Sequence, residues 1–243
     1  MKRLFLACCI LLFCLSGQAN AAAYRAASGT PWPPFEFGDS SNKLTGYTID
    51  YLDAVAVAAG FTVTYTHVAW DGIFIRLRTG EYDIIATPVS LTPERRLSMD
   101  FSQPYLQSTQ VLVLAADNKA QSLASMPKRI FAARTGSSGQ KAANMHQGVS
   151  LKLVDDIADG MEDLINKDVT GVVCDKHVAE FHLKLPRYAG KAHIAPFPIT
   201  SQVESYAFVV RKGNKGLLQR INKGIDIVKQ NSTDVELFRK WLQ

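Results

Sequence analysis

From Tyr24 onward, short apolar runs rich in β-branched residues alternate with segments of helical periodicity. Kept up along the chain, this alternation calls for an α/β fold with a parallel sheet rather than a sandwich or a helical bundle. Strands are predicted at 24–27, 62–67, 82–86, 111–115, 130–133, 171–174 and 206–210. Helices are predicted at 47–59, 72–79, 139–146, 157–166, 176–185, 215–229 and 234–242, with a short helical turn at 92–95. In helix 47–59, Ile49, Leu52, Ala56 and Ala59 make one apolar stripe, and Gly60 follows as a residue suited to a left-handed closing conformation. No internal repeat is present. The segments 111–117 and 203–210 instead read as crossings between two lobes, with residues 24–112 and the return segment 205–243 in the first lobe and 113–204 in the second.

Ahead of Tyr24, Lys2 and Arg3 precede an apolar stretch from Leu4 to Leu15, which ends at Ser16-Gly17-Gln18 and then Ala19-Asn20-Ala21. This is the pattern of a cleavable signal peptide over residues 1–23, cut after Ala21 or Ala23. An uncleaved anchor would need about 20 apolar residues. Cys14 follows Phe13 rather than a small residue, which disfavours lipid attachment. Cys8, Cys9 and Cys14 fall in the leader, so Cys174 is left alone in the mature chain and no internal disulfide can form. The fold must therefore hold by packing, with Cys174 read as a buried small hydrophobe. Neither paired cysteines nor a His-x-x-x-His spacing suggests a metal, and no cofactor motif is present. The formal charge of +5 falls to +3 without Lys2 and Arg3 and is spread evenly, which argues against nucleic acid as a partner.

Six short motifs in order carry a resemblance: Pro33-Pro34-Phe35-Glu36-Phe37, Gly46-Tyr47-Thr48-Ile49-Asp50-Tyr51-Leu52, Ala69-Trp70-Asp71-Gly72, Gly80-Glu81-Tyr82-Asp83-Ile84-Ile85, Ser90-Leu91-Thr92-Pro93-Glu94-Arg95 and Asp100-Phe101-Ser102-Gln103-Pro104-Tyr105. Together they resemble the polar amino-acid family of periplasmic solute-binding proteins, bacterial extracellular family 3, over about Tyr24 to Trp241. The resemblance implies two α/β lobes joined by two hinge strands, a small-molecule ligand in the cleft between them, and delivery to the permease subunits of an ABC importer by a periplasmic monomer.

The resemblance also implies a ligand set. Arg95 matches the arginine that takes a ligand carboxylate, a role that suits a planar guanidinium with two parallel donors. Gly136-Ser137-Ser138-Gly139 precedes a predicted helix and looks like a second carboxylate contact through Ser137 and Ser138. Asp175 matches the aspartate that meets the ammonium, with the Ser90 hydroxyl and the Pro88 carbonyl as further acceptors. A proline at 88 departs from the usual Ser or Gly and removes a donor. Thr87 adjoins this stretch in the expected set. Trp32 and Trp70 match positions for large groups around the ligand side chain. Gly29 stands where receptors for basic amino acids carry an acidic residue, and no carboxylate besides Asp175 is evident. Arg134, if it points inward, suits an acidic or polar ligand side chain.

Each residue also has a bland reading: Arg95 in a surface ion pair with Glu94, Ser137-Ser138 and Asp175 as helix caps, the tryptophans as core. The five histidines are scattered, and His177, near Asp175, reads as a solvent-facing helix position. The same fold hosts cyclohexadienyl dehydratases, so a lyase is one alternative and a periplasmic sensor another. No nucleophile motif or phosphate loop favours an enzyme.

Overall fold

The computed structural model describes residues 22–29 and 31–243, so the expected leader lies outside the described residues except for Ala22 and Ala23. The first part of the chain runs β1 (Ala22–Ser28), β2 (Phe37–Gly38), β3 (Leu44–Thr45), α1 (Tyr47–Ala59), β4 (Phe61–His67), α2 (Ile73–Thr79), β5 (Ile84–Ser90), α3 (Pro93–Ser98) and β6 (Met99–Phe101). A long β7 (Leu106–Ala115) leads into β8 (Ile130–Arg134), α4 (Ser138–Asn144), β9 (Ser150–Val154), α5 (Ile157–Ile165), β10 (Gly171–Asp175), α6 (Lys176–Lys184) and β11 (Ala192–Ile194). A second long strand, β12 (Val203–Arg211), returns the chain to the first part, where α7 (Lys215–Gln230) and α8 (Thr233–Leu242) end it.

The architecture is two-lobed α/β. In one lobe β4, β1 and β5 pair in parallel, and in the other β10, β8 and β9 do so. The strands β12 and β7 join them in the order β4-β1-β5-β12-β7-β10-β8-β9, with β6 on β12 and β11 on β7. These two long strands are antiparallel to each other and to their outer neighbours, so the sheet is mixed where a wholly parallel one was expected. They pair only from Val203 opposite Thr109 to Tyr206 opposite Leu106. β7 then takes β10 as its partner from Gln110, ahead of the segment 111–117 read as the crossing.

The strands buried on both faces read as near-continuous apolar runs, as Ile84-Ile85-Ala86 in β5 and Gly171-Val172-Val173-Cys174 in β10 do. Cys174 is indeed buried. One apolar cluster runs through both lobes, from Phe35, Tyr51 and Phe208 to Val113, Met161 and Val178. Two smaller clusters sit apart: one gathers Ile73 and Leu77 of α2, the other Ala143 of α4 with Leu112 and Phe131.

The start of α1 explains why the Pro33 motif and the Gly46 motif occur together. The first N–H groups of a helix have no partner within it, and here Tyr47 N donates to the Pro34 carbonyl and Thr48 N to the Phe35 carbonyl, each at 2.9 Å. A Cβ at Gly46 would lie 2.3 Å from the Phe35 oxygen, and φ there is +126°, so glycine alone permits this approach. The result fixes Trp32 and Glu36 at the edge of the first lobe. Pro88 has its own consequence: the pairing of β5 with β12 shifts register between Ala207 and Val209, and Phe208 N donates instead to Ser102 Oγ at 3.0 Å. A proline without an N–H fits at such an irregularity.

The return of the chain depends on a second close approach. A Cβ at Gly224 of α7 would lie 2.5 Å from the Val55 carbonyl of α1. Gly224→Ala is therefore expected to destabilise the protein by about 1–3 kcal/mol, less whatever part of the ~1 kcal/mol gain in helix propensity survives. Urea unfolding measures it, and an unchanged or raised midpoint would show that α7 does not press on α1.

Candidate functional site

The ends of β5, β8, β10 and β12, with the start of α4, meet the edge formed by Trp32, Glu36 and Trp70. At that meeting Ser90, at the end of β5, lies across from Ser138, the first residue of α4, with the two hydroxyls 3.3 Å apart. Both donate to the same oxygen of Glu204 on β12, Ser138 over 2.8 Å and Ser90 over a short bond. The two lobes are thus bridged through a hinge-strand carboxylate that the sequence did not point to.

Arg95 sits in α3, whose cap is the Thr92 side chain accepting from Arg95 N. Its guanidinium donates to the Ser90 carbonyl at 3.0 Å and lies 5.6 Å from the Trp70 ring and 5.3 Å from Phe74. The surface pairing of Arg95 with Glu94 does not form: Glu94 reaches across to Lys141 at 3.6 Å. Asp175 ends β10 and is 7% exposed, and its side chain caps nothing. Its Oδ1 accepts from Gln110 Nε2 at 2.9 Å and from the Tyr206 hydroxyl. Ser137 takes the bland role: its hydroxyl caps α4 by accepting from Gln140 N at 3.1 Å and donates to the Arg134 carbonyl.

Trp32 is buried and Trp70 half-buried. Arg134 extends from the other lobe to lie 4.5 Å from the Trp32 ring and 5.4 Å from the Trp70 ring. The loop behind it packs just as closely, since a Cβ at Gly136 would stand 3.3 Å from Trp70 Nε1. Thr87 is buried and donates to Glu36. Pro88, half-buried within β5, is joined to none of these side chains by a hydrogen bond.

Glu36 is the second carboxylate that sequence reading missed, although it lies inside the quoted Pro33 motif. It is 1% exposed and accepts from Ser28 Oγ at 2.9 Å and Gly29 N at 3.1 Å as well as from Thr87. A Cβ at Gly29 would meet its Oε1 at 3.0 Å, so the carboxylate stands beside the position that lacks an acidic side chain. Asp175 is therefore not alone, as the sequence had suggested: Glu36 and Glu204 share the cleft. His177, expected to face solvent, packs edge-on to Phe35 and Phe238. Among the described residues no group of three or more His, Cys, Asp or Glu side chains is placed to hold a metal, and no helix is long and apolar enough to cross a membrane.

Burial raises the Glu36 carboxyl to about 7, against the pull of Thr87, Ser28, Gly29 and Arg134. Burial, reinforced by the neighbouring Glu204, raises Asp175 to about 7, with Gln110 acting the other way. An acid whose folded value lies above its unfolded one binds more protons when folded, so its contribution to stability declines as pH rises through that interval.

A family model described as bacterial extracellular solute-binding proteins, family 3, matches residues 24–243. The chain is 27% identical to a probable histidine-binding protein of Neisseria gonorrhoeae, over 97% of this chain and 92% of the other. An ancestral arginine-binding protein bound to arginine superposes with a TM-score of 0.83 at 28% identity, covering 92% of this chain and all of its own. An ancestral amino acid-binding protein described as a precursor of cyclohexadienyl dehydratase also gives 0.83, at 27% identity over 91% of this chain and 96% of its own.

In the ligand-free protein, stability between about pH 4 and 7 is expected to fall less steeply with rising pH in Glu36→Gln and Asp175→Asn than in the wild type. A difference of about 1–2 kcal/mol across the window corresponds to a Tm difference of roughly 2–8 °C. Thermal unfolding at stepped pH reads it, and parallel curves for all three proteins would contradict the burial of ionisable carboxyls.

Proposed function

Because the chain belongs to the family-3 bacterial extracellular solute-binding proteins, we propose that it is the periplasmic receptor of an amino-acid ABC importer, closing its lobes on a small zwitterion. The observation that carries this reading is the convergence of Arg95, Ser90, Ser138 and Asp175 from both lobes on one cleft. A ligand carboxylate is met by the Arg95 guanidinium with the Ser90 and Ser138 hydroxyls, groups that Glu204 engages in the structure described here. A ligand ammonium is met by the Asp175 carboxylate, which Gln110 and Tyr206 hold at the cleft. An amino acid that joins the two lobes stabilises the closed arrangement by its differential affinity for it.

The partner is the permease pair of an importer, and the receptor works as an exported monomer. Cleavage after Ala21 rather than Ala23 keeps β1 whole, because Ala22 and Ala23 pair with Phe61 and Thr62. For the lyase alternative, likeness to a dehydratase precursor is a favourable observation, though that precursor is itself described as amino acid-binding. Glutamate-centred acid machinery in place of the aspartate is what a lyase of this kind would require, and Asp175 keeps the receptor's residue.

Refolded, ligand-free mature protein is expected to gain Tm with one or a few amino acids, by roughly 2.7 kcal/mol of stability at a hundredfold excess over Kd. Arg95→Ala and Asp175→Asn should each weaken binding by roughly tenfold or more. Binding near pH 7 should also release protons, because an ammonium beside Asp175 favours its ionised form. Calorimetry in buffers of different ionisation enthalpy reads the release. Silence toward every amino acid, with turnover of a cyclic acid instead, would install the lyase in its place.

A further inference from the structure

Arg134 is the charged group of the cleft whose needs the protein leaves unmet. It is 5% exposed, its Nη2 is buried with no hydrogen-bond partner, and it forms no ion pair among the described residues. Glu36, Asp156, Asp175 and Asp155 act on its charge through space, but none of them bonds it, and a buried guanidinium nitrogen left without an acceptor is costly. The three carboxylates nearby differ. Glu36 accepts from Ser28, Gly29 and Thr87, Asp175 from Gln110 and Tyr206, and Glu204 from Ser90 and Ser138. What the cleft lacks is an acceptor at Arg134.

We infer that Arg134 is the specificity-determining residue of this cleft, reserving the place beside Trp32 and Trp70 for the distal carboxylate of an acidic amino acid. The inference rests on the receptor reading and narrows it. Two guanidiniums gather around the single Trp70 ring, Arg95 at 5.6 Å and Arg134 at 5.4 Å, which is an arrangement for two anionic groups on one small molecule. Arg95 takes the α-carboxylate and Arg134 the distal one, while Asp175 meets the ammonium. A cavity of about 560 Å³ lies against Arg134, Trp70 and Phe74 and leaves space beside the guanidinium. Asp71 and Asp155 also border that cavity, but both are exposed, where water and salt screen them. A basic solute would have to move the Arg134 guanidinium off both indoles or lie against a like charge. The specificity inferred is thus opposite to that of the arginine-bound relative, although the fold is shared.

The test is a calorimetric titration of the ligand-free mature protein and of Arg134→Gln with glutamate, aspartate, glutamine and arginine. Arg134→Met serves as a second variant, and circular dichroism checks that both fold. The wild type should bind glutamate or aspartate roughly tenfold to a hundredfold more tightly than glutamine, with arginine the weakest. In Arg134→Gln and Arg134→Met that preference should vanish while glutamine binding stays within a few-fold, because the contacts to the α-carboxylate and ammonium are untouched. Tighter binding of arginine than of either acidic amino acid, or an equal loss for glutamate and glutamine in the variants, would overturn the inference and leave the receptor reading standing. Absence of binding by all four would overturn the inference, and the receptor reading would then stand or fall on the Tm screen against the other amino acids.

Discussion

The four-residue ladder between β7 and β12 is the constraint on which the rest of the molecule depends. It makes two parallel sheets into one mixed sheet, and it is the short place where both strands face each other rather than their own lobes. Antiparallel pairing by two strands is a compact way to join lobes that must keep their orientation, since each strand continues as a buried member of the lobe it enters. The aromatic group beside it, with Tyr105 stacked on Phe208 at 4.5 Å and Tyr206 edge-on to Phe35, continues the core across the junction. Glu204 lies within this ladder, opposite Ser108. A carboxylate in that position reports on both lobes because its acceptor oxygen is claimed by a hydroxyl from each.

The charges of the cleft follow from the same geometry. Strand ends that converge from two sheets bring polar side chains out of water together, and each must then find a partner among the others. Glu36 and Asp175 answer by accepting several donors and by holding protons more tightly than exposed carboxyls do. Arg95 answers with the Ser90 carbonyl and two aromatic rings. Their pairing is incomplete where a solute would complete it, as expected of a binding site rather than of a structural core.

The alternation of strands and helices was legible because parallel strands and the helices that cover them have distinct periodicities over five or more residues. β9 and β11 were not, since Ser150–Val154 carries exposed Lys152 and Leu153 and Ala192–Ile194 is only three residues long. The two crossings were read in the segments 111–117 and 203–210, but the point where β7 changes partner was not, because the change between Thr109 and Gln110 leaves no mark in composition. In the cleft, Arg95, Ser90, Ser138 and Asp175 were expected from the family resemblance, and the structure brings them near one another. Glu36 and Glu204 could not: one was absorbed into its motif as a marker, and the other is a charged residue in a strand that reads as scaffold. Their importance arises from contacts spanning 51 and 114 residues of sequence, which no local pattern encodes.

A buried carboxyl with a proton affinity near neutrality can serve as an acid in a reaction or as a countercharge to a bound cation, and its hydrogen bonds distinguish the two. A general acid is suited by a pKa near the operating pH, and a countercharge by donors that stabilise its ionised form. Asp175 accepts from an amide and a phenol at once, both of which favour the ionised form. In the proposed receptor, an arriving ammonium would supply the remaining compensation, ionise the group and be held by it. The same carboxylate also sits close enough to Glu204 to raise its proton affinity, so one ammonium relieves the repulsion between two like charges. In the proposed receptor, this would make the affinity of the site a property of both lobes and the hinge together.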